Sequence, residues 1–264
     1  QRYPLSGRSY SDFVTLNDNT LRDCADVMSV AWRNYGDRRY YDAVAKCGDF
    51  LIAAQLPAPQ ATWGQQYDAD LKPAWARRFE PPAACGGESF GAMRLLVEIA
   101  VFTGDAKYLE PLPAAMDWFE SSQLPNGRWA RFYELKTNRP LYFTAETYWL
   151  TYDGSNVPDH YSFEGNYYNP RFRDDYNAIV AMGLPAYIEQ QSRRPPTGAE
   201  ALAQAEKMEQ NVRELLATRS ENGVWLRRGG YGGPDVLHLD MATVQRNMNT
   251  LSQYVRLARA AQQG

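Results

Sequence analysis

Apolar residues recur along this chain at helical spacing, in stretches divided by short polar turns. Leu16, Leu21, Val27, Met28, Ala31 and Trp32 mark residues 16–34 as one amphipathic helix. Asn17, Asp18 or Asn19 stands where its N-cap belongs. Tyr41, Val44, Phe50, Leu51 and Ala54 mark residues 38–56 as a second helix, ended by Pro57 and Pro59, which cannot continue it. The pair returns at 88–103 and 107–123, with Gly104-Asp105 as the turn between. Helical spacing is seen again at 175–191, 199–218 and 240–261. Asn126-Gly127 predicts a tight turn into a short extended piece, Trp129 to Tyr133. Residues 137–174 keep no period and are rich in Tyr, Asn, Asp and Pro, which predicts a long loop. Ser192 to Gly198 reads as a linker-like turn.

The helices carry a repeat. Gly36-Asp37-Arg38-Arg39-Tyr40 recurs 68 residues on as Gly104-Asp105-Ala106-Lys107-Tyr108, and Gln55-Leu56-Pro57 recurs at the same offset as Gln123-Leu124-Pro125. Trp63 to Tyr67 corresponds to Trp129 to Tyr133, and Asn222-Gly223-Val224-Trp225 echoes Asn126 to Trp129. Gln1-Arg2-Tyr3-Pro4 resembles the end of such a block, so the chain is expected to enter inside a repeat, with an N-terminal helix missing. Helix, turn, helix and a Trp-bearing segment, repeated, predict an all-α fold. The expected architecture is an α/α toroid of helical hairpins, an (α/α)3-like barrel with long irregular loops, forming one domain over residues 1–264. Closure would gather the polar and aromatic residues that follow each second helix on one rim.

Composition narrows the function. Hydrophobic content of 44% and charged content of 22% are those of an ordinary globular chain. A net charge of −3 argues against a nucleic-acid or anionic-membrane partner, and no apolar run reaches spanning length. Gln1 opens no signal-peptide pattern. Cys24, Cys47 and Cys85 show no zinc spacing and no disulfide framework, and read as core thiols. Only His160 and His238 are present, too few for a His-rich transition-metal site. Aromatics stand out at 13%, with Tyr142, Tyr148, Tyr152, Tyr161, Tyr167, Tyr168 and Tyr176 in one stretch. Such rings suit sugar stacking and core edges alike.

Three segments carry candidate chemistry. In Tyr10-Ser11-Asp12 to Asn17-Asp18-Asn19, a carboxylate among amides at a helix start suits a hard cation bound through oxygen, or a plain N-cap. Lys72 to Pro82 sets Arg77 and Arg78 among aromatics and prolines, as an anion site or as ion pairs with Glu80 or Glu88. Arg131 to Pro140 again sets Arg beside Tyr. Guanidinium groups pair carboxylates bidentately, so the three together suit an acidic sugar polymer. No phosphate loop, Ser-His-Asp set or Cys-His pair is present.

These residues resemble the family 10 polysaccharide lyases, the pectate lyases. The resemblance runs over about residues 1–143 and rests on Tyr3-Pro4-Leu5, Tyr10-Ser11-Asp12, Asn17-Asp18-Asn19, Trp63 with Gln66, Pro73, Ala76-Arg77 with Phe79-Glu80, Gly87-Glu88-Ser89, Arg131-Phe132-Tyr133 and Thr137-Asn138-Arg139. It implies calcium-assisted β-elimination of polygalacturonate, with Arg77 as the general base. It further implies Asp18 and Asn19 as calcium ligands, Arg131 as the clamp on the substrate carboxylate, and Arg139, Tyr133 and Tyr10 as substrate-binding groups. Arg is an unusual base, since it is normally protonated, and needs local positive potential from Arg78 or calcium. In the resemblance, further calcium- and substrate-binding groups lie upstream of Tyr3. A basic residue is also expected where Ala145 stands, for which Arg171 or Arg173 is a substitute.

The expected protein is therefore a lyase of an acidic, uronate polysaccharide, monomeric, without nucleic-acid or membrane partners, and secreted or periplasmic because its substrate is. Two alternatives remain: a non-catalytic acidic-glycan-binding protein, or an α/α-toroid glycoside hydrolase using Asp18 with Glu80 or Glu88.

Overall fold

A computed structural model of the chain describes residues 9–191, 196–230 and 233–262. The chain forms two compact units, Gln1–Gln191 and Ser192–Gly264. Gln1 to Pro4, where a repeat was expected to be entered midway, and residues 192–195 of the expected linker lie outside the described residues.

The first unit holds six helices among its described residues: α1 (Thr20–Tyr35), α2 (Arg38–Ala54), α3 (Gly86–Thr103), α4 (Leu112–Ser121), α5 (Arg171–Met182) and α6 (Leu184–Gln191). The expected helix at 107–123 starts with a 3₁₀ turn, Ala106–Leu109, because Pro111 and Pro113 allow a regular helix only from Leu112. The expected helix at 175–191 is two helices, divided at Gly183, whose φ of 81° an L side chain rarely adopts. Helix α3 runs through the core, burying Ala92, Met93, Leu95, Leu96, Ile99 and Ala100. Leu51, Leu112, Met116 and Phe119 close around it with no solvent exposure, each burial being favourable by about 1.5–3 kcal/mol.

The all-α class, and with it a toroid built of helical hairpins alone, does not hold. Short strands join the helices: β1 (Val14–Thr15), β2 (Gln66–Tyr67), β3 (Ala83–Cys85), β4 (Trp129–Ala130), β5 (Phe132–Glu134), β6 (Pro140–Phe143), β7 (Leu150–Thr151) and β8 (Glu164–Gly165). They pair antiparallel as β1-β2, β3-β5-β6-β7 and β4-β8. The architecture is a mixture of helices and small antiparallel sheets. Strands this short show no legible alternation of period two, and β6, β7 and β8 lie inside the segment that was expected to be loop. A second apolar cluster, Ala83, Cys85, Phe132, Leu141, Phe143 and Phe163, packs on this sheet.

The repeat has a physical basis. Gly36 and Gly104 end α1 and α3 in the left-handed conformation, their N–H groups donating to Trp32 and Ala100. Asp37 and Asp105 follow as N-caps, accepting from the N–H of Arg39 and Lys107 at 3.0 Å each. The indole N–H of Trp63 donates to the Leu51 carbonyl in the last turn of α2 at 2.7 Å, and that of Trp129 to Phe119 in the last turn of α4 at 2.8 Å. Each indole caps a carbonyl in the last turn of its helix, which at Phe119 also accepts the Ser122 N–H at 3.3 Å.

In the second unit, α7 (Gly198–Ala217) and α8 (Met241–Ala261) pack along Ala201, Ala205 and Leu257. Between them β9 (Leu226–Arg228) and β10 (Leu237–Leu239) form an antiparallel hairpin. Trp225 repeats the indole device, donating to the Leu215 carbonyl at 2.9 Å. All three cysteines are free. Cys85 is a core thiol as expected, but Cys24 is exposed and Cys47 half-buried. Among the described residues no helix is long and apolar enough to cross a membrane.

Candidate active site

Arg77 lies in the connection between β2 and β3, where prolines forbid regular structure. Three residues on, Glu80 is completely buried. It accepts from Arg77 Nε at 2.7 Å and also from Arg77 Nη2. Gln65 donates to it too, as do Gln66 Nε2 at 3.1 Å and the Tyr161 hydroxyl at 3.1 Å. A buried carboxylate has to be satisfied in this way. The hydrogen bond to Glu80 raises the Arg77 pKa above that of an ordinary arginine, and the Glu80 charge adds to the effect. The guanidinium is ringed by Tyr10 and Phe79, each 5.2 Å away, and by Tyr161 at 6.0 Å. Its Nη1 has no hydrogen-bond partner among the described residues.

Arg131 joins β4 to β5. Its backbone is tied on both sides, its N–H donating to Phe163 and its carbonyl accepting from Gly86, each at 2.7 Å. Gly86 has to be glycine, since a Cβ there would meet the Ala130 carbonyl oxygen at 2.5 Å. The side chain donates from Nε to the Ser162 carbonyl at 2.9 Å, and from Nη1 to Glu88 at 3.0 Å and Tyr161 at 3.3 Å. Glu88 sits in the first turn of α3, where the helix end favours negative charge. Burial is the largest single influence on the Arg131 pKa and lowers it, but Glu88, Cys85, Tyr161 and Tyr167 together outweigh it and the net shift is upward.

Asp18 and Asn19 take consecutive left-handed conformations, φ 56° and 58°, at the entry to α1. Asn19 is the N-cap residue, yet its side chain makes no capping bond, so the N-cap reading does not account for this segment. Asp18 accepts from Asn17 Nδ2 at 3.2 Å. Asp18, Asn19, Gly87, Glu88, Gly91 and Arg131 line a cavity of about 220 Å³.

The structure thus brings Asp18, Asn19 and Arg131 into one cavity, and sets Tyr10 beside Arg77. Tyr161 links the two arginines, since its hydroxyl reaches both Glu80 and Arg131. Burial raises the Tyr161 pKa, which keeps it a neutral phenol. Tyr133 is elsewhere. It is 1% exposed, donates to the Ser122 carbonyl at 2.7 Å and accepts from the Ala130 N–H at 2.9 Å. Burial pushes its pKa up to about 12. Tyr67 makes the same internal bond to Gly64 at 2.6 Å, so Tyr133 occupies a structural place in the repeat. Arg139 stacks 3.4 Å over Tyr152, whose hydroxyl donates to Glu134 at 2.7 Å. Arg173, expected as a substitute cation, is held by Asp117 at 2.7 Å and Glu120 at 2.5 Å, while Arg171 opens α5. Of the ion pairs weighed from sequence for Arg77 and Arg78, Arg77–Glu80 exists, while Glu88 pairs with Arg131 instead. Tyr161 was not singled out, because nothing in a segment without periodicity marks one tyrosine among seven.

Residues 1–128 match the family model described as pectic acid lyase. That span contains Tyr10, Asp18, Asn19 and Arg77, and it bears out the resemblance read from the sequence there. A family 10 polysaccharide lyase from Cellvibrio cellulosa shares the fold, at 24% identity and a TM-score of 0.53. A mutant of the family 10 lyase from the same organism, in complex with trigalacturonic acid, aligns at 24% identity with a TM-score of 0.51. Each alignment covers 69% of this chain, which spans 66% of the length of those structures. No curated protein sequence matches the chain. Arg131, Arg139 and Tyr161 lie past the pectic acid lyase span.

Proposed function

We propose that this chain is a polysaccharide lyase that cleaves an acidic, pectate-like polymer by calcium-assisted β-elimination. One observation carries the reading: two arginines seated on carboxylates meet across Tyr161, and one of them shares a cavity with Asp18 and Asn19. The Cellvibrio lyase bound to trigalacturonic acid supports the substrate class.

In this reading Arg131 holds the uronate carboxylate through Nη2. Arg77 Nη1 faces C5 of the same sugar and takes its proton. The C–H electron pair becomes the C4–C5 double bond, and the C4–O bond breaks with its pair on the leaving oxygen, which solvent protonates. Calcium requires six to eight oxygens, and no group of three or more His, Cys, Asp or Glu among the described residues can hold a metal. The carboxylate of Asp18 and the uncapped amide of Asn19 therefore fit a cation shared with the substrate carboxylate and water, rather than a closed protein cage. Bound there, calcium would stabilise the charge that develops on that carboxylate.

A hydrolase is disfavoured, because Glu80 is fully buried and Glu88 is tied to Arg131. The binding-protein reading has one observation in its favour: Glu80 holds Arg77 in its protonated form. Polygalacturonate deuterated at C5 separates the two. A lyase with Arg77 as base shows slowed release of unsaturated product from that substrate, and a binder releases none. Such a polymer also places the protein outside the cytoplasm, in the periplasm or beyond.

A further inference from the structure

Arg78 differs from its neighbour. Arg77 is locked to Glu80 and Arg131 to Glu88, while Arg78 is exposed and has no carboxylate partner among the described residues. Its guanidinium lies on the face of Tyr148, 3.3 Å from the ring centre.

Tyr148 is held from behind. Its backbone is left-handed, at φ 54°, and its N–H donates to the Thr144 carbonyl at 3.0 Å. Its ring lies 6.0 Å from Phe79 and 5.9 Å from His160, and its hydroxyl is 3.4 Å from His160 Nδ1. Phe79 continues the contact to Tyr161, 4.7 Å away. The rings of Tyr161, Phe79 and Tyr148 therefore run from the Arg77–Arg131 centre out to Arg78.

Stacking occupies the face of a guanidinium and leaves its in-plane N–H donors open, as bidentate carboxylate recognition requires. A guanidinium already laid on a ring also has less freedom to lose on binding. A uronate polymer carries a carboxylate on every sugar, so a chain held at Arg131 presents more of them along this row of rings.

We propose that Arg78, laid on Tyr148 beside Phe79 and His160, is a second uronate subsite, binding the carboxylate of a sugar away from the bond that is cleaved. The proposal rests on the lyase reading for its ligand class. Its residues past Arg78 and Phe79 come from the Tyr-rich segment, outside the pectic acid lyase span.

The test is calorimetric titration of the parent protein, Arg78→Ala and Arg78→Lys with galacturonate oligomers of increasing length. Mildly acidic pH keeps Arg77 protonated and suppresses turnover while the uronates stay charged. The expected result is a loss of affinity in Arg78→Ala that grows with oligomer length to about tenfold, equivalent to about 1.4 kcal/mol. Arg78→Lys recovers only part of it, and methyl-esterified oligomers show no difference between parent and variant. Melting temperatures equal to the parent's establish that the variants are folded. Equal loss at every length, or none, overturns the subsite while leaving the lyase reading in place. A parent that binds no uronate oligomer overturns both.

Discussion

Arg77 is held by a carboxylate with no exposure to solvent, and this sets the pH behaviour of the proposed chemistry. Only neutral arginine accepts a proton. Because Glu80 raises the Arg77 pKa, the neutral fraction is small at neutral pH and grows with every rise in pH. The elimination rate is therefore expected to climb through the alkaline range without a plateau until the protein unfolds, as a pH–rate profile would show. A plateau near neutrality would point to a different base. Tyr161 supplies a second prediction. Tyr161→Phe keeps the ring and removes the hydroxyl that joins Glu80 to Arg131. A hydrogen bond to a charged group contributes about 1.5–3 kcal/mol, so kcat/KM should fall by about tenfold or more, with the rise in rate with pH preserved. Arg77, Arg131 and Asp18 stood out in the sequence as candidates because each sits in a compact polar motif. Tyr161 was not, since its place is set by the β4–β8 pairing just beyond it. Tyr133 was misplaced for an instructive reason. Its recurrence opposite Tyr67 in both blocks already marked it as part of the repeat, and both hydroxyls bond the backbone three residues earlier.

At the scale of elements, the glycine, aspartate and tryptophan of each block are what the helices need at their ends. This is why they recur, and why helix positions were readable to within a few residues except where prolines and Gly183 interrupt. The extended piece expected at Trp129 to Tyr133 is β4 and β5, but the other strands were not readable, because they run two to four residues and are held by partners distant in sequence, as β3 is by β5. Their buried faces still contribute a core. The indole bonds give a third prediction. Trp63→Phe and Trp129→Phe each remove the indole donor from a last-turn carbonyl, at a cost of about 1–3 kcal/mol where the carbonyl is left unpaired and less at Phe119, which keeps the Ser122 N–H. Denaturant unfolding should show both shifted to lower midpoints. Melting at the parent's midpoint would show that the repeated tryptophans act by packing alone.

At the scale of the molecule, the proposed calcium site has one carboxylate, Asp18, and neighbouring amides, so the account makes metal and substrate binding mutually dependent. Calcium alone should raise the melting temperature little, and calcium together with polygalacturonate distinctly more, because only ligands that bind the folded state stabilise it. A large shift with calcium alone would indicate a closed protein site. The central claim is narrower still: that this chain opens a uronate glycosidic bond by elimination through Arg77. Ultraviolet absorbance of the unsaturated uronate tests it most directly, followed at alkaline pH on polygalacturonate with calcium, for the parent and for Arg77→Ala. The account predicts steady growth for the parent, abolished by a chelator and reduced about 10²–10⁴-fold in Arg77→Ala. Undiminished growth in Arg77→Ala, or new reducing ends without the absorbance, would contradict it.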